Sequence, residues 1–221
     1  SRLSCYEKCP KQAEFKFIKK IKEPGSPAMD RGKDMHKLCE EYIRGRFDEL
    51  PKELREFEEA FVKLKELHEL GQVTCESDWA ITKDWDQTGW FDEDTWGRAK
   101  VDAFVYDEGN SKEARVIDFK TGRYEGNQEA HKEQCELYGG IALKRYPELE
   151  KIITEMWYLD HGKIDRYIYT QESINIKRDK IHIRAVEMTE ATEFPANPSK
   201  WKCKWCYFGK QNMCREKYEE Y

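Results

Sequence analysis

No apolar run in the chain approaches the roughly 18 residues of a membrane-crossing helix, which excludes a helical membrane span. The opening Ser1-Arg2-Leu3-Ser4 has no secretory-signal character, and without a Met the start reads as trimmed. There is no internal repeat and no low-complexity tract, so solenoid and compositionally biased classes drop out. Nor is there an excess of basic residues: the net charge is −5. That balance mildly opposes a polyanionic partner without excluding one. Charge can be segregated, and a divalent cation neutralises the most acidic part of a site. Cysteine, by contrast, is plentiful, with eight at positions 5, 9, 39, 75, 135, 203, 206 and 214. Cys39, Cys75 and Cys135 fall inside helix or strand patterns and read as small buried hydrophobes. With no secretory signal, the C-terminal cluster reads as a metal site rather than a disulfide framework.

The 221 residues suit one domain with at most a small appended lobe. Residues 1–23 carry an amphipathic pattern that Cys9-Pro10 interrupts, and Glu23-Pro24-Gly25-Ser26-Pro27 reads as a loop. From Met29 the spacing of Met35, Leu38, Cys39, Tyr42 and Ile43 is helical. A second helix is expected over Pro51–Leu70, with Leu54, Phe57, Phe61, Leu64 and Leu67 on one face and Gly71 at its end. Strands are expected over Val73–Ile81, within Trp90–Tyr106, and at Arg115–Lys120. A helix follows over Glu129–Lys144, then strands at Ile152–Tyr158 and Ile164–Thr170, then a helix over Ile174–Thr189. The tail reads as a cysteine-rich loop. The order implies a mixed α/β core sheet flanked by helices, in three parts: helical 1–70, core 71–190 and tail 191–221.

Asp102 precedes Asp118-Phe119-Lys120 by fifteen residues, and the second motif sits on the apolar run Val116-Ile117-Asp118-Phe119-Lys120-Thr121-Gly122. In a strand Asp118 and Lys120 leave the same face. An acid and an ammonium at a buried strand end are costly unless paired or used. Phosphodiester hydrolysis uses such a set. Two carboxylates hold a divalent cation, and the lysine positions the nucleophile or balances charge on the phosphorane. Gln134 and Tyr138 are one helical turn apart and share a face, where an amide and a phenol can contact a phosphate. Arg123 and Tyr124 could bind DNA backbone or stack on a base. Glu76, on an earlier strand, reads more readily as a surface acid than as a residue that approaches the site. Cys203-x-x-Cys206 and Cys214 bring three thiolates toward one metal, and tetrahedral closure needs a fourth. Four thiolates suit either Zn²⁺ or a [4Fe–4S] cluster.

Six segments together resemble the PD-(D/E)XK nuclease superfamily, in its RecB-like branch of CRISPR-associated and phage exonucleases. They are Ser1-x-Leu3-x-x-Tyr6-x-x-Cys9-Pro10, Gly32-x-x-x-His36, Gly97-Arg98-Ala99-Lys100-Val101-Asp102, Asp118-Phe119-Lys120-Thr121-Gly122, Gln134-x-x-x-Tyr138 and Cys203-x-x-Cys206-x7-Cys214. The resemblance implies a single domain over residues 1–221 with a restriction-endonuclease-like core, its two termini joined at a cysteine metal site. It implies a metal-dependent DNA exonuclease, acting on single-stranded ends in recombination, repair or CRISPR-type processing. His36, Asp102, Asp118 and the Phe119 carbonyl would hold Mn²⁺ or Mg²⁺, the imidazole tilting the preference to Mn²⁺. Lys120 would orient or help deprotonate the attacking water, and Gln134 and Tyr138 would bind near the cleaved nucleotide. Cys9, with Cys5 in reserve, would join Cys203, Cys206 and Cys214 around a [4Fe–4S] cluster, with Zn²⁺ as the alternative. The partners implied are DNA and recombination or CRISPR-type proteins, in an intracellular setting of bacterial, archaeal or phage origin and without a membrane. The competing functions are a non-cutting iron–sulfur or zinc binding module and an endonuclease on the same core.

Overall fold

A computed structural model of the chain describes residues 1–109 and 111–218. It forms two compact units, residues 26–179 and residues 1–25 with 180–221.

The first unit carries a six-stranded sheet. In chain order it contains α-helices that we number with those of the second unit, where α1 is Arg2–Lys8 and α2 is Pro10–Ala13. Helix α3 (Pro27–Ile43) starts where Ser26 Oγ accepts the Met29 N–H at 3.3 Å, with Pro27 in the first turn. A 3₁₀ turn at Lys52–Phe57 leads into α4 (Glu58–Glu69). The helix expected over Pro51–Leu70 is therefore two elements in series. Helices α3 and α4 end alike. Gly45 (φ +72°) and Gly71 (φ +76°) take the left-handed position just past the helix. The N–H groups of Gly45 and Arg46, and of Gly71 and Gln72, close back onto the last turn. This is a Schellman stop, which glycine takes without steric cost.

The strands are β1 (Val73–Ile81), β2 (Gln87–Thr88), β3 (Gly97–Val105), β4 (Glu113–Lys120), β5 (Lys151–Tyr158) and β6 (Lys163–Thr170), in the sheet order β2-β1-β3-β4-β5-β6. All neighbours are antiparallel except β4 and β5, which run parallel with α5 (Gln128–Arg145) between them in sequence. The two-residue β2 was not expected, and β3 begins at Gly97 rather than near Trp90. The intervening Asp92, Asp94, Thr88 and Thr95 side chains bond within their own loop, which competes with a ladder there.

Alternation along β4 sorts its residues. Ile117 and Phe119 enter the core that α3 and α4 share with the sheet, beside Leu54, Phe61, Leu64 and Trp157. The rings of Phe61, Phe119 and Trp157 lie 5.5–5.8 Å apart. Anchoring Phe119 in this cluster leaves Asp118 and Lys120 to the other face.

Helix α6 (Gln171–Glu190) begins in the first unit and ends in the second. In the second unit Phe15 stacks on buried Phe208 at 5.1 Å, and Arg184 holds Glu7 through two nitrogens at 2.5 and 2.6 Å. The tail expected to be loop-like contains two short helices, α7 (Lys200–Lys204) and α8 (Tyr207–Lys210). Ser199 caps α7 with its hydroxyl, accepting from Lys202 N at 3.2 Å. Among the described residues no helix is long and apolar enough to cross a membrane.

Candidate active site

The pairing of β3 with β4 runs from Val105↔Arg115 to Ala103↔Ile117 and stops there. The next two opposed positions are Asp102 and Asp118. Where the ladder opens, the Phe119 N–H donates to Asp102 Oδ2 at 2.7 Å, so a side chain replaces the missing strand partner. Both carboxylates are buried, Asp102 at 7% and Asp118 at 3% exposure.

Asp118 is gripped from α5. Gln134 Nε2 donates to Asp118 Oδ1 at 2.9 Å, and the Tyr138 hydroxyl lies 3.0 Å from the same oxygen and 3.0 Å from the Lys100 carbonyl. Gln134 Nε2 also donates to the Tyr138 oxygen at 2.6 Å, while its Oε1 accepts from Lys120 Nζ at 3.0 Å. Every hydrogen-bonding position of the Gln134 amide but one acceptor site is thereby used. Lys120 Nζ also stands 2.5 Å from the buried Asp118 Oδ2, a close ion pair. Burial raises the Tyr138 hydroxyl well above its ordinary value, so it remains a donor.

Asp102 faces a second group. Its Oδ1 lies 3.1 Å from His36 Nδ1, brought in by α3. Burial pushes the Asp102 carboxyl up, and the charge of Asp118 adds to it, while the bond to His36 works the other way. For His36, burial opposes protonation, but its bond to Asp102 and the charges of Asp102 and Asp118 outweigh that and carry the pKa up. Glu76 completes the cluster. Ligand atoms of His36, Glu76 and Asp102 all lie within 4.8 Å of one another. Glu76 holds a left-handed backbone at φ +54°, which costs a non-glycine residue about 1–2 kcal/mol. Its side chain pairs with Lys100 at 2.7 Å.

One imidazole and two carboxylates, with a third, buried carboxylate beside them, fit a hard divalent cation. Of the residues expected at the site from the motifs and the resemblance, His36, Asp102, Asp118, Lys120, Gln134 and Tyr138 lie together. Asp118 stands outside the 4.8 Å group and is tied instead to Lys120, Gln134 and Tyr138. The surface position expected for Glu76 is corrected, because the turn of its backbone aims the carboxylate at Asp102. No alternating strand pattern signals such a turn. His131 was also missed. It accepts or donates at 2.8 Å with the Tyr158 hydroxyl, and burial together with the Lys120 charge lowers its pKa. Tyr124 donates to Asp165 at 3.1 Å and lies under Lys163 Nζ at 4.4 Å. Glu155 is a buried acid of another kind: Arg166 and Trp157 hold it at 2.6 and 2.8 Å, which gives it a structural role.

In the second unit Cys9, Cys203, Cys206 and Cys214 line one cavity with Phe15 and Phe208, and Cys5 does not. Backbone N–H groups reach two of the sulfurs, Asn197 N to Cys9 Sγ at 3.4 Å and Tyr218 N to Cys203 Sγ at 3.3 Å. No three of these sulfurs lie within 4.8 Å of one another among the described residues. Burial raises the Cys214 thiol.

Comparison with curated protein sequences returns no match. Two solved structures resemble the chain in fold. One is SSO0001, at 18% identity and a TM-score of 0.51, covering 98% of this chain and 86% of that one. The other is a Eubacterium rectale protein designated a candidate exonuclease, at 13% identity and a TM-score of 0.54, covering 99% of this chain and 90% of that one. Residues 1–215 match the family description of the PD-(D/E)XK nucleases, and with the opened ladder, the paired acids and Lys120 in place, the chain belongs to the PD-(D/E)XK nuclease superfamily.

Proposed function

We propose that the chain is a divalent-metal-dependent DNA exonuclease of RecB-like type, acting on single-stranded ends in recombination, repair or CRISPR-type processing. The observation that carries this reading is the convergence of Asp102, His36 and Glu76 with the Asp118–Lys120 pair at the point where β3 and β4 part. The likeness of fold to a candidate exonuclease supports an end-directed reaction.

His36, Asp102, Asp118 and the Phe119 carbonyl would hold Mn²⁺ or Mg²⁺, and Glu76 joins them. The cation supplies Lewis-acid polarisation of the scissile phosphate and a more acidic water. Lys120, steadied by Gln134, orients that water and offsets charge growing on the phosphoryl oxygens. Gln134 and Tyr138 are assigned to holding Asp118 and Lys120, since buried Tyr138 spends its hydroxyl on Asp118, Gln134 and the Lys100 carbonyl. Arg123 and Tyr124 are assigned to the DNA strand.

The four-cysteine cavity is assigned a structural [4Fe–4S] cluster. The family resemblance of the cysteine spacing favours the cluster over zinc, and the four cysteines line one cavity where N–H···S bonds suit thiolate ligands of either. Iron and acid-labile sulfide analysis of protein purified without air decides between cluster and zinc.

The test of the enzyme uses end-labelled linear and circular single-stranded DNA with Mn²⁺, Mg²⁺ or EDTA. Metal-dependent shortening of the linear strand, with the circle spared, is expected. Asp118→Ala and Lys120→Ala should each abolish it while keeping the fold. Full activity in either variant ends the proposal, and cutting of the circle identifies an endonuclease.

A further inference from the structure

The net charge of −5 conceals a segregated segment. Residues 194–215 carry Lys200, Lys202, Lys204, Lys210 and Arg215 and no Asp or Glu. Two indoles stand out from the same segment, Trp201 at 71% and Trp205 at 69% exposure. Trp201 is in the first turn of α7 and Trp205 caps its C-terminal end, four residues on, so they share one side about 6 Å apart along the helix. Lys204 Nζ lies 5.9 Å from the centroid of the Trp201 ring and 5.5 Å from that of Trp205. Lys210 Nζ lies 5.4 Å from the Trp205 ring. The local core is the Phe15–Phe208 stack, to which neither indole belongs. Tryptophan is normally well covered in a folded chain, so two exposed rings are not accounted for by folding.

We infer that Trp201 and Trp205 form a stacking platform for single-stranded DNA, with Lys204 and Lys210 neutralising its phosphates. Bases present flat π-faces at each nucleotide, and indoles accept them without regard to sequence. Ammonium groups beside the rings meet the backbone that links those bases. A duplex hides its base faces, which makes the platform selective for single strands. Lysine is depleted at the cores of protein interfaces, so a segment of five cations and no acids fits a polyanion better than a protein surface. The inference rests on the nuclease reading for the identity of the polyanion and names the form of its substrate.

The experiment measures binding of a labelled 20-nucleotide dT strand, and of a duplex of equal length, across a salt series. The protein is the full chain carrying Asp118→Ala, so that nothing is cut, with its cysteine site loaded. Adding Trp201→Ala and Trp205→Ala is expected to weaken binding of the single strand at least tenfold, since stacking contributes roughly 1–3 kcal/mol per base. The pair Trp201→Phe and Trp205→Phe should recover most of the loss. Lys204→Ala with Lys210→Ala should flatten the dependence of log Kd on log salt by about 1.4, at about 0.7 per phosphate contact. Single-strand affinity within twofold of the parent in the double alanine variant overturns the platform, as does an equal loss on the duplex. Should that variant fail to fold, undiminished quenching of tryptophan fluorescence by dT in the double phenylalanine variant overturns it. Cleavage by the chain with Asp118 intact is measured in parallel. Loss of the platform with cleavage retained leaves the nuclease reading standing, and binding without any cleavage sinks that reading alone.

Discussion

Tyr138→Phe removes one oxygen from a network in which each partner is already committed. The side chain is 5% exposed, so water cannot replace what is lost. The deletion takes an acceptor from Gln134 Nε2 and removes the single hydroxyl proton that lies 3.0 Å from two acceptors, Asp118 Oδ1 and the Lys100 carbonyl. A hydrogen bond to a charged group contributes about 1.5–3 kcal/mol, and a buried group left without a partner costs about 1–3 kcal/mol. These overlap, because Gln134 still holds Asp118 and the Lys100 carbonyl has a second lone pair. A net loss of about 2–3 kcal/mol is expected. At about 2–4 °C per kcal/mol for a chain of this size, Tm should fall by about 4–12 °C.

The same substitution separates two roles for the phenol. If Tyr138 positions Asp118, kcat falls with Tm, KM barely moves, and the pH–rate profile keeps its shape, because the hydroxyl is held protonated far above neutral pH. If instead the phenol touches the nucleotide, KM rises and Tm stays within about a degree. Scanning calorimetry and end-labelled cleavage kinetics on the same preparation decide the matter. An unchanged Tm with a raised KM would refute the network argument.

Two further outcomes follow from neighbouring contacts. Glu76→Gln should weaken Mn²⁺ binding by about tenfold, read by paramagnetic resonance titration without DNA, and Glu76→Gly should do the same while raising Tm, since glycine relieves the left-handed strain at φ +54°; unchanged affinity in both would remove Glu76 from the metal site. Asp160 takes Arg31 at 2.5 and 2.8 Å and the Gly122 N–H at 2.7 Å, and the Arg31 bond lowers its carboxyl below the ordinary 3.8. Its contribution is therefore complete above that ordinary value and disappears as pH falls through the lowered one. Asp160→Asn should cost up to about 1 kcal/mol near pH 7, given the exposure of Arg31, and the gap in Tm from wild type should narrow as pH falls below 3.8 and through the lowered value; a gap that widens on acidification contradicts the assignment.

The parts of the site that the sequence discloses are those set by short-range geometry. Asp118 and Lys120 share a strand face, and Gln134 and Tyr138 share a helix face, because the periods of two and about 3.6 residues admit no other arrangement. The expected sheet and helices emerge for the same reason, with the apolar partners Ile117 and Phe119 on the opposite side of β4. What stays hidden depends on a local break in period or on distance along the chain. Glu76 reaches Asp102 only because one residue of β1 turns left-handed, a conformation that glutamate does not advertise. Arg31 meets Asp160 across 129 residues, and β2 is only two residues long. Hydrophobic pattern also cannot separate the 3₁₀ turn at Lys52–Phe57 from the α-helix that follows, since both bury residues three and four apart.

These hidden contacts explain how a costly arrangement of charge is sustained. Three acids, one imidazole and one lysine converge where a ladder has been left open, against the preference of a sheet to close its hydrogen bonds. Each element is tied from outside the reacting centre. The aromatic cluster fixes Phe119, so that β4 cannot slide and turn Asp118 inward. Asp160 clamps both the start of α3 and the turn at Gly122, holding together the helix that carries His36 and the strand end that carries Lys120. The α5 amide holds acid and ammonium at once. The stability needed to keep like charges close thus comes from contacts on three elements around the acids and Lys120. Substitutions at those contacts should lower activity through geometry, with the ligand set chemically intact.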